Sequence, residues 1–402
     1  MRPNLPLVFI LITLAIDAMG IGLMLPVMPA LLQEIDGGTL ADAALWGGVL
    51  TTSFAAMQFL CGPTLGSLSD RFGRRPVLLV SLTVVMCEYL VMATAGSMLV
   101  LLAARIVGGI ASATQAVGYA FIADISKPEE KAARFGLIGA SFGVGFVLGP
   151  MIGGLLGELG TRAPFYAAAA LAAANLVFGI LILPETLRRE NQRTFRWARA
   201  NPLGSFIALS RLPGVTRLVL LFFFYQVAFN VYPAIWAYFT RARFGWDSAM
   251  VGLSLAAFGI ALVVVQGGLI RIILRYLGDR GTVLYGIAFN ATAFLAMAFV
   301  ASGTVALILT PLTALGAVVT PAVQGMMSRI VDDDAQGELQ GILSSAHSLA
   351  LIVSPPVMTV TFAAFTKPGA PVSLPGAPFL VSMGLMGICW FVFTSRRSLP
   401  AA

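Results

Sequence analysis

Four ionisable side chains lie inside long apolar runs of this 402-residue chain: Asp17, Glu88, Arg105 and His347. A charge in an apolar medium is costly, so such groups pair with one another or mark a path for ions and protons. An acid held there can take up a proton and give it back when another solute competes for the same site. On the plainer reading, Arg105 pairs with Asp17 or Glu88 and only fixes packing. His347 is the single histidine of the chain. Its imidazole either relays protons or packs as a satisfied neutral ring.

The runs that carry these residues define the class of protein. The chain is 58% hydrophobic and 11% charged, with a mean hydropathy of +0.91. Soluble domains carry about a quarter charged residues. Apolar stretches of membrane-spanning length recur throughout, so an all-α polytopic membrane protein is expected, with the lipid bilayer as its partner. The alternating ten-residue pattern of a membrane β-barrel is missing. About twelve spans of bilayer length can be placed, at 6–32, 45–65, 76–95, 98–125, 135–157, 164–184, 214–240, 249–272, 282–301, 305–330, 339–363 and 376–394. Asp17 and Glu88 then lie about twelve residues, roughly 18 Å, from one face, and Arg105 about seven residues, roughly 10 Å, from the other. In a core about 30 Å thick these depths nearly coincide.

The net charge of +7 comes mainly from arginines in alternate loops. That is the positive-inside pattern, and it places both termini in the cytoplasm; nucleic-acid binding is not expected. The segment 185–213 is the one extended polar linker. It divides the chain into a first six-helix bundle, 1–184, and a second, 214–402. A faint repeat, Phe72 to Leu79 against Leu277 to Leu284, opens the third span of each half. Two parallel six-span halves around a central cavity are the expected architecture. Cys61, Cys87 and Cys389 have no disulfide or metal spacing. No phosphate-binding loop, nucleophile elbow or metal-ligand set is present, so neither an enzyme nor a bound cofactor is expected.

Three further features complete the reading. Gly66-Ser-Leu-Ser-Asp70-Arg71-Phe-Gly73-Arg74-Arg75-Pro76 is a charged turn between two apolar runs, and Asp124 stands at the next loop on the same side. Span 5 carries Gly145, Gly149-Pro150 and Gly153-Gly154, a spacing that lets helices approach closely and bend. Gln58, Gln115, Gln226, Asn230, Trp236, Asn290 and Gln324 are polar or amphipathic groups at membrane depth that a cavity could use. The aromatic run from Phe222 to Tyr238 reads mostly as lipid contact.

The turn resembles the loop between helices 2 and 3 of the major facilitator superfamily, which implies that Asp70 and Arg74 belong to a cytoplasmic gate. The glycines of span 5 resemble the antiporter motif of that superfamily, and Arg105-Ile-Val-Gly-Gly109 resembles a motif whose arginine is linked to proton coupling. Asp17 to Pro29, Leu65 to Leu79, Gly139 to Gly145, Arg243 to Trp246 and Gln336 to Gly341 are similar to the bacterial tetracycline/proton antiporters. That resemblance implies a functional monomer in the bacterial inner membrane. It implies export of a drug-like amphipathic compound, tetracycline as its metal chelate or a related antibiotic, in exchange for a proton. Nothing would be bound as a cofactor; the proton gradient drives the cycle, and Mg2+ travels with the drug. Asp17, Glu88 and Arg105 stand where the family keeps its intramembrane acids and arginine. Asn290 aligns where the family keeps an aspartate, and the span 8 histidine that several members carry is replaced here by an apolar stretch around Ala261 and Leu262. A proton-coupled multidrug, sugar or metabolite carrier of the same fold is the alternative.

Overall fold

The computed structural model describes residues 5–395 except 113, 333–334 and most of 188–213; the side chains of 115, 128, 129 and 132 also lie outside the described residues. The described residues form helices, turns and no strand. In order they are α1 Leu5–Met24, α2 Met28–Asp36, α3 Leu40–Phe72, α4 Arg74–Thr94, α5 Met98–Ala111, α6 Thr114–Ile125, α7 Pro128–Gly157 and α8 Ala163–Ile182. There follow α9 Thr216–Phe229, α10 Val231–Phe244, α11 Ser248–Val264, α12 Ile270–Phe299, α13 Gly303–Thr313, α14 Val319–Ile330, α15 Gln336–Ala364 and α16 Ala377–Thr394. Eleven continuous stretches among the described residues are long and apolar enough to cross a membrane.

Expected spans break where the backbone loses donors. Span 1 divides at Leu25–Val27, where Pro26 cannot donate and Pro29 opens α2. Span 7 divides at Asn230, just before Pro233, and span 10 divides through a short 3-10 turn at Ala314–Gly316. The expected loop 273–281 reduces to a kink. The helix from Ser248 passes through a π-helical turn at Val265–Leu269 and breaks at Gly278, and a second helix continues to Phe299. Gly278 takes φ 62° and ψ 177°, a conformation that only glycine adopts at little cost.

The chain forms two compact units. The first comprises Met1–Gly37, Ser53–Pro202 and Asp247–Ala256. Within it α1 packs on α7 and α8, and α4 packs on α5 and α8. Phe9, Ile10, Leu14, Leu78, Leu82 and Phe121 form its buried centre. The second comprises Gly38–Thr52, Leu203–Trp246 and Ala257–Ala402. Within it α9 packs on α15 and α16, and α12 packs on α14 and α16.

The second unit corrects the reading of the aromatic run. Phe222, Tyr225, Tyr232, Trp236 and Tyr238 are all buried. Tyr232 and Trp236 gather around Phe379, and Tyr232 also reaches Phe294 and Phe258. Trp236 is 1% exposed and has rings on several sides, so it is a core residue and not a cavity wall.

Candidate functional site

In the first unit, α4 and α5 form a hairpin whose second arm starts at Ser97, where the Ser97 hydroxyl accepts from the Val100 amide. The hairpin brings Glu88 and Arg105 together. Arg105 Nη1 donates to Glu88 Oε1 at 2.7 Å, with 3% of the glutamate and 12% of the arginine side chain accessible. The guanidinium also lies 4.1 Å over the Phe54 ring. Gly108 leaves the space that the Glu88 carboxylate fills, and Gly109 lets α5 approach the backbone of Phe54. Of the alternatives open in the sequence, Glu88 is therefore the arginine's partner.

Asp17 is half-buried on α1 and has no cationic partner among the described residues. It lies beside the Thr114 hydroxyl and within the field of Glu88. One turn earlier Thr13 donates to Asn175 at 3.1 Å, fixing α1 to α8. Nearby, Gln58 donates to the Ser112 hydroxyl at 2.8 Å. The side chain of Gln115 lies outside the described residues. The result is one acid without a cationic partner among the described residues beside a second acid paired with arginine.

The helix bearing Asp17 is gripped by span 5. A Cβ at Gly145, Gly149 or Gly153 would collide with the carbonyls of Ala15, Met19 and Leu23 respectively. The two rows step together at four-residue intervals, one helical turn each. Pro150 fills the space left by Gly22, while Gly154 faces Ser248 on another side of α7. The motif read from the sequence is thus the surface on which α1 rides.

The charged turn is an ordered latch. Gly73 takes φ 106°, ending α3 and starting α4. Arg74 binds Asp70 at 2.6 Å and Asp124 at 3.1 Å, and it donates to the Ser69 hydroxyl. Ser69 in turn donates to the Gly66 carbonyl. Glu185, which the sequence reading left in the linker, accepts from the backbone amides of Arg74 and Arg75 at 2.9 and 3.2 Å. A carboxylate there satisfies open donors at a helix N-terminus. The available signal was an acid directly after the Pro that ends span 6. Arg75 donates to the Ile180 carbonyl, and Arg71 stands over the Phe72 ring, apart from the acids.

In the second unit, Gln226 Nε2 lies 2.6 Å from His347 Nδ1, and the Thr320 hydroxyl donates to Gln226 Oε1 at 3.3 Å. Gln324 is half-buried one turn beyond Thr320. Two cavity expectations are corrected. Asn230 donates to the carbonyl of Gln226 at the helix break, serving the backbone. Asn290 is 1% exposed and donates to the carbonyl of Gly316 at 2.8 Å and to Tyr225 at 3.3 Å. An ionised carboxylate in its place would set an oxygen against that carbonyl, while the Asn290 amide oxygen is itself buried with no hydrogen-bond partner among the described residues.

The Major Facilitator Superfamily profile matches residues 10–315. The tetracycline resistance protein, class C, of Escherichia coli is 43% identical over 90% of this chain and 91% of its own. The class E protein of Escherichia coli is 38% identical over 90% and 89%. The crystal structure of the human organic anion transporter MFSD10 matches at a TM-score of 0.71 with 25% identity, over 98% of this chain and 100% of that one. The chain belongs to the Major Facilitator Superfamily, a family of membrane transporters, and within it groups with the tetracycline resistance proteins.

Proposed function

We propose that this multi-pass membrane protein exports tetracycline, as its Mg2+ chelate, in exchange for protons entering the cell. The observation that carries this reading is 43% identity to a tetracycline resistance protein across 90% of the chain. The first unit supports a proton-coupled mechanism. Asp17, half-buried and facing no cation, takes the proton. The Glu88–Arg105 pair beside it keeps the region polar while adding no net charge. Protonation removes the charge on Asp17, and competition from the substrate restores it. The glycine ladder holds α1 against α7 while this happens. The Asp70–Arg74–Asp124 latch opens and closes the cytoplasmic side in an alternating-access cycle between the halves 1–184 and 214–402. Both termini lie in the cytoplasm of a bacterial inner membrane, and the monomer is the working unit.

Asn290 favours a second reading, in which the same proton cycle moves another amphipathic compound. It replaces the span 9 aspartate that the family resemblance implies, and with it a proton or cation site.

Inverted vesicles energised by respiration and loaded with a pH-sensitive dye test the proposal. Tetracycline with Mg2+ releases protons from wild-type vesicles, and Asp17→Asn abolishes the response. A response only to other amphipathic drugs replaces the substrate. A full response in Asp17→Asn moves the proton site elsewhere.

A further inference from the structure

The second unit holds a polar chain that the proton cycle above leaves unused: Thr320 on α14, Gln226 on α9 and His347 on α15. Its three members come from three helices, so no single span's sequence pattern reveals it. The imidazole is the exposed end, and among the described residues its Nε2 has no hydrogen-bond partner. The Thr320 hydroxyl is the inner end.

The amide in the middle works in two orientations. With Gln226 Nε2 on the ring, Nδ1 accepts, the Thr320 hydroxyl donates to Oε1, and the neutral ring carries its proton on Nε2. After a half-turn of the amide, Oε1 accepts from Nδ1–H and the amide nitrogen donates to the Thr320 oxygen. In this orientation the neutral ring is the Nδ1–H tautomer, reached when Nε2 gives its proton to water and Nδ1 takes one from water as the amide turns; Nε2 then takes a further proton from the aqueous side, giving the imidazolium with Nδ1–H still on Oε1. His347 Nδ1 and both polar atoms of the Gln226 amide keep a partner in both orientations, so the turn of the amide orphans none of these three. One proton enters at Nε2 and the same proton leaves.

We infer that Thr320–Gln226–His347 is a second proton-carrying site, placed in the unit where Asn290 supplies no titratable group. The inference rests on the reading of the chain as a proton-coupled exporter. The charges on the helices packed around His347 are engaged or distant. Arg217 binds the carbonyls of Val392 and Ser395, Arg329 binds Asp279, and Arg243 binds the Val300 carbonyl. Arg241 shares the last turn of α10 with Arg243, and Glu338 stands in the first turn of α15, more than two turns before His347. Tyr225 is bound to Gly316, Tyr232 and Tyr238 lie in the aromatic core, and the Cys389 thiol faces the Leu221 carbonyl.

Because the chain has one histidine, its ring Cε1–H signal in histidine-labelled protein is unambiguous by NMR. The full-length protein in detergent is titrated. The expected result is one transition for the wild type and a midpoint moved by about one pH unit in Gln226→Ala, the size of a lost charge-assisted hydrogen bond. Thr320→Val moves it less. A resonance that does not titrate, or a midpoint indifferent to both variants, overturns the inference. In vesicles, His347→Gln is expected to flatten the pH dependence of proton release while keeping drug binding; an unchanged pH profile also overturns it. If wild-type vesicles ignore tetracycline, the substrate assignment fails, and the NMR midpoints still decide the proton site.

Discussion

The two halves of the chain share a backbone and divide the chemistry. Shifting the sequence so that Gly73 falls on Gly278 also carries Ser97 onto Ser302, Met24 onto Phe229 and Pro150 onto Pro355. Both glycines break a helix with positive φ, and both serines cap a helix by accepting from the third residue on. Met24 and Phe229 each end the first segment of a broken span. The ionisable groups do not follow. Glu88 and Arg105 fall on Ala293 and Thr310, and an apolar groove lined by Ala293, Phe289, Leu309 and Thr313 lies at that level. The latch survives with its signs exchanged: Arg74–Asp124 becomes Asp279–Arg329, the partners 50 residues apart in both. Scaffold signals constrain the backbone and are needed twice, whereas the ionisable groups are not repeated between the halves.

The largest test grafts one half's solution onto the other. Glu88→Ala strands the Arg105 guanidinium in a nearly dry site and is expected to cost about 3–5 kcal/mol. Glu88→Ala/Arg105→Thr, copying Ala293 and Thr310, is expected to recover most of that loss in thermal melts in detergent. A single variant as stable as the wild type would mean that the pair contributes little to folding.

The helix ladder differs in a similar way. Gly149 falls on Ser354, whose hydroxyl donates to the Val227 carbonyl. Gly149→Ser presses a side chain onto Met19 and is expected to cost about 1–3 kcal/mol and most of the transport rate. Ser354→Gly loses one hydrogen bond, about 1 kcal/mol. Equal melting temperatures for the two would erase the distinction.

The latches separate by exposure. Arg74 is 9% accessible, whereas Arg329 and Asp279 are 61% and 41% accessible. Arg74→Ala is expected to slow turnover about tenfold, as loss of a buried charge-assisted contact does. Asp279→Ala is expected to change it less than about twofold, because exposed pairs contribute little. Initial rates of proton release measure both, and a large effect at Asp279 would make the second latch the working one.

The smallest effect is at Glu34, which accepts from Thr161 and Arg162. The Thr161 hydroxyl and the Arg162 guanidinium hold its carboxyl below the ordinary value of 4.5. The stabilisation is therefore complete above pH 4.5 and is lost as pH falls through the lowered value. Melting curves of Glu34→Gln and wild type are expected to differ slightly at neutral pH and to converge in acid; curves that stay parallel would discount the pair.

Much of this was legible in the sequence because membrane spans and charged turns are local signals. Asp70, Arg74 and Asp124 lie at helix ends that the hydropathy pattern isolates, and the spacing of Gly145, Gly149 and Gly153 already implies one helix face. Trp236 and Asn290 were misread because hydropathy places a residue at a depth but not on a side: one faces a ring cluster and the other a backbone carbonyl. Glu185 and the Gln226–His347 contact escaped because their partners are 111 and 121 residues away. The loop 273–281 is shorter than expected, a kink at Gly278, because polar residues can extend a helix beyond its apolar part.

Glu185 has one more consequence. The first amides of a helix ordinarily exchange with solvent deuterium freely, having no carbonyl partner. Those of Arg74 and Arg75 are occupied by a carboxylate from the far end of the same unit. Their exchange is slow only while α4 and the end of span 6 stay docked. Two backbone protons therefore act as a clock for how often this corner of the transporter comes apart.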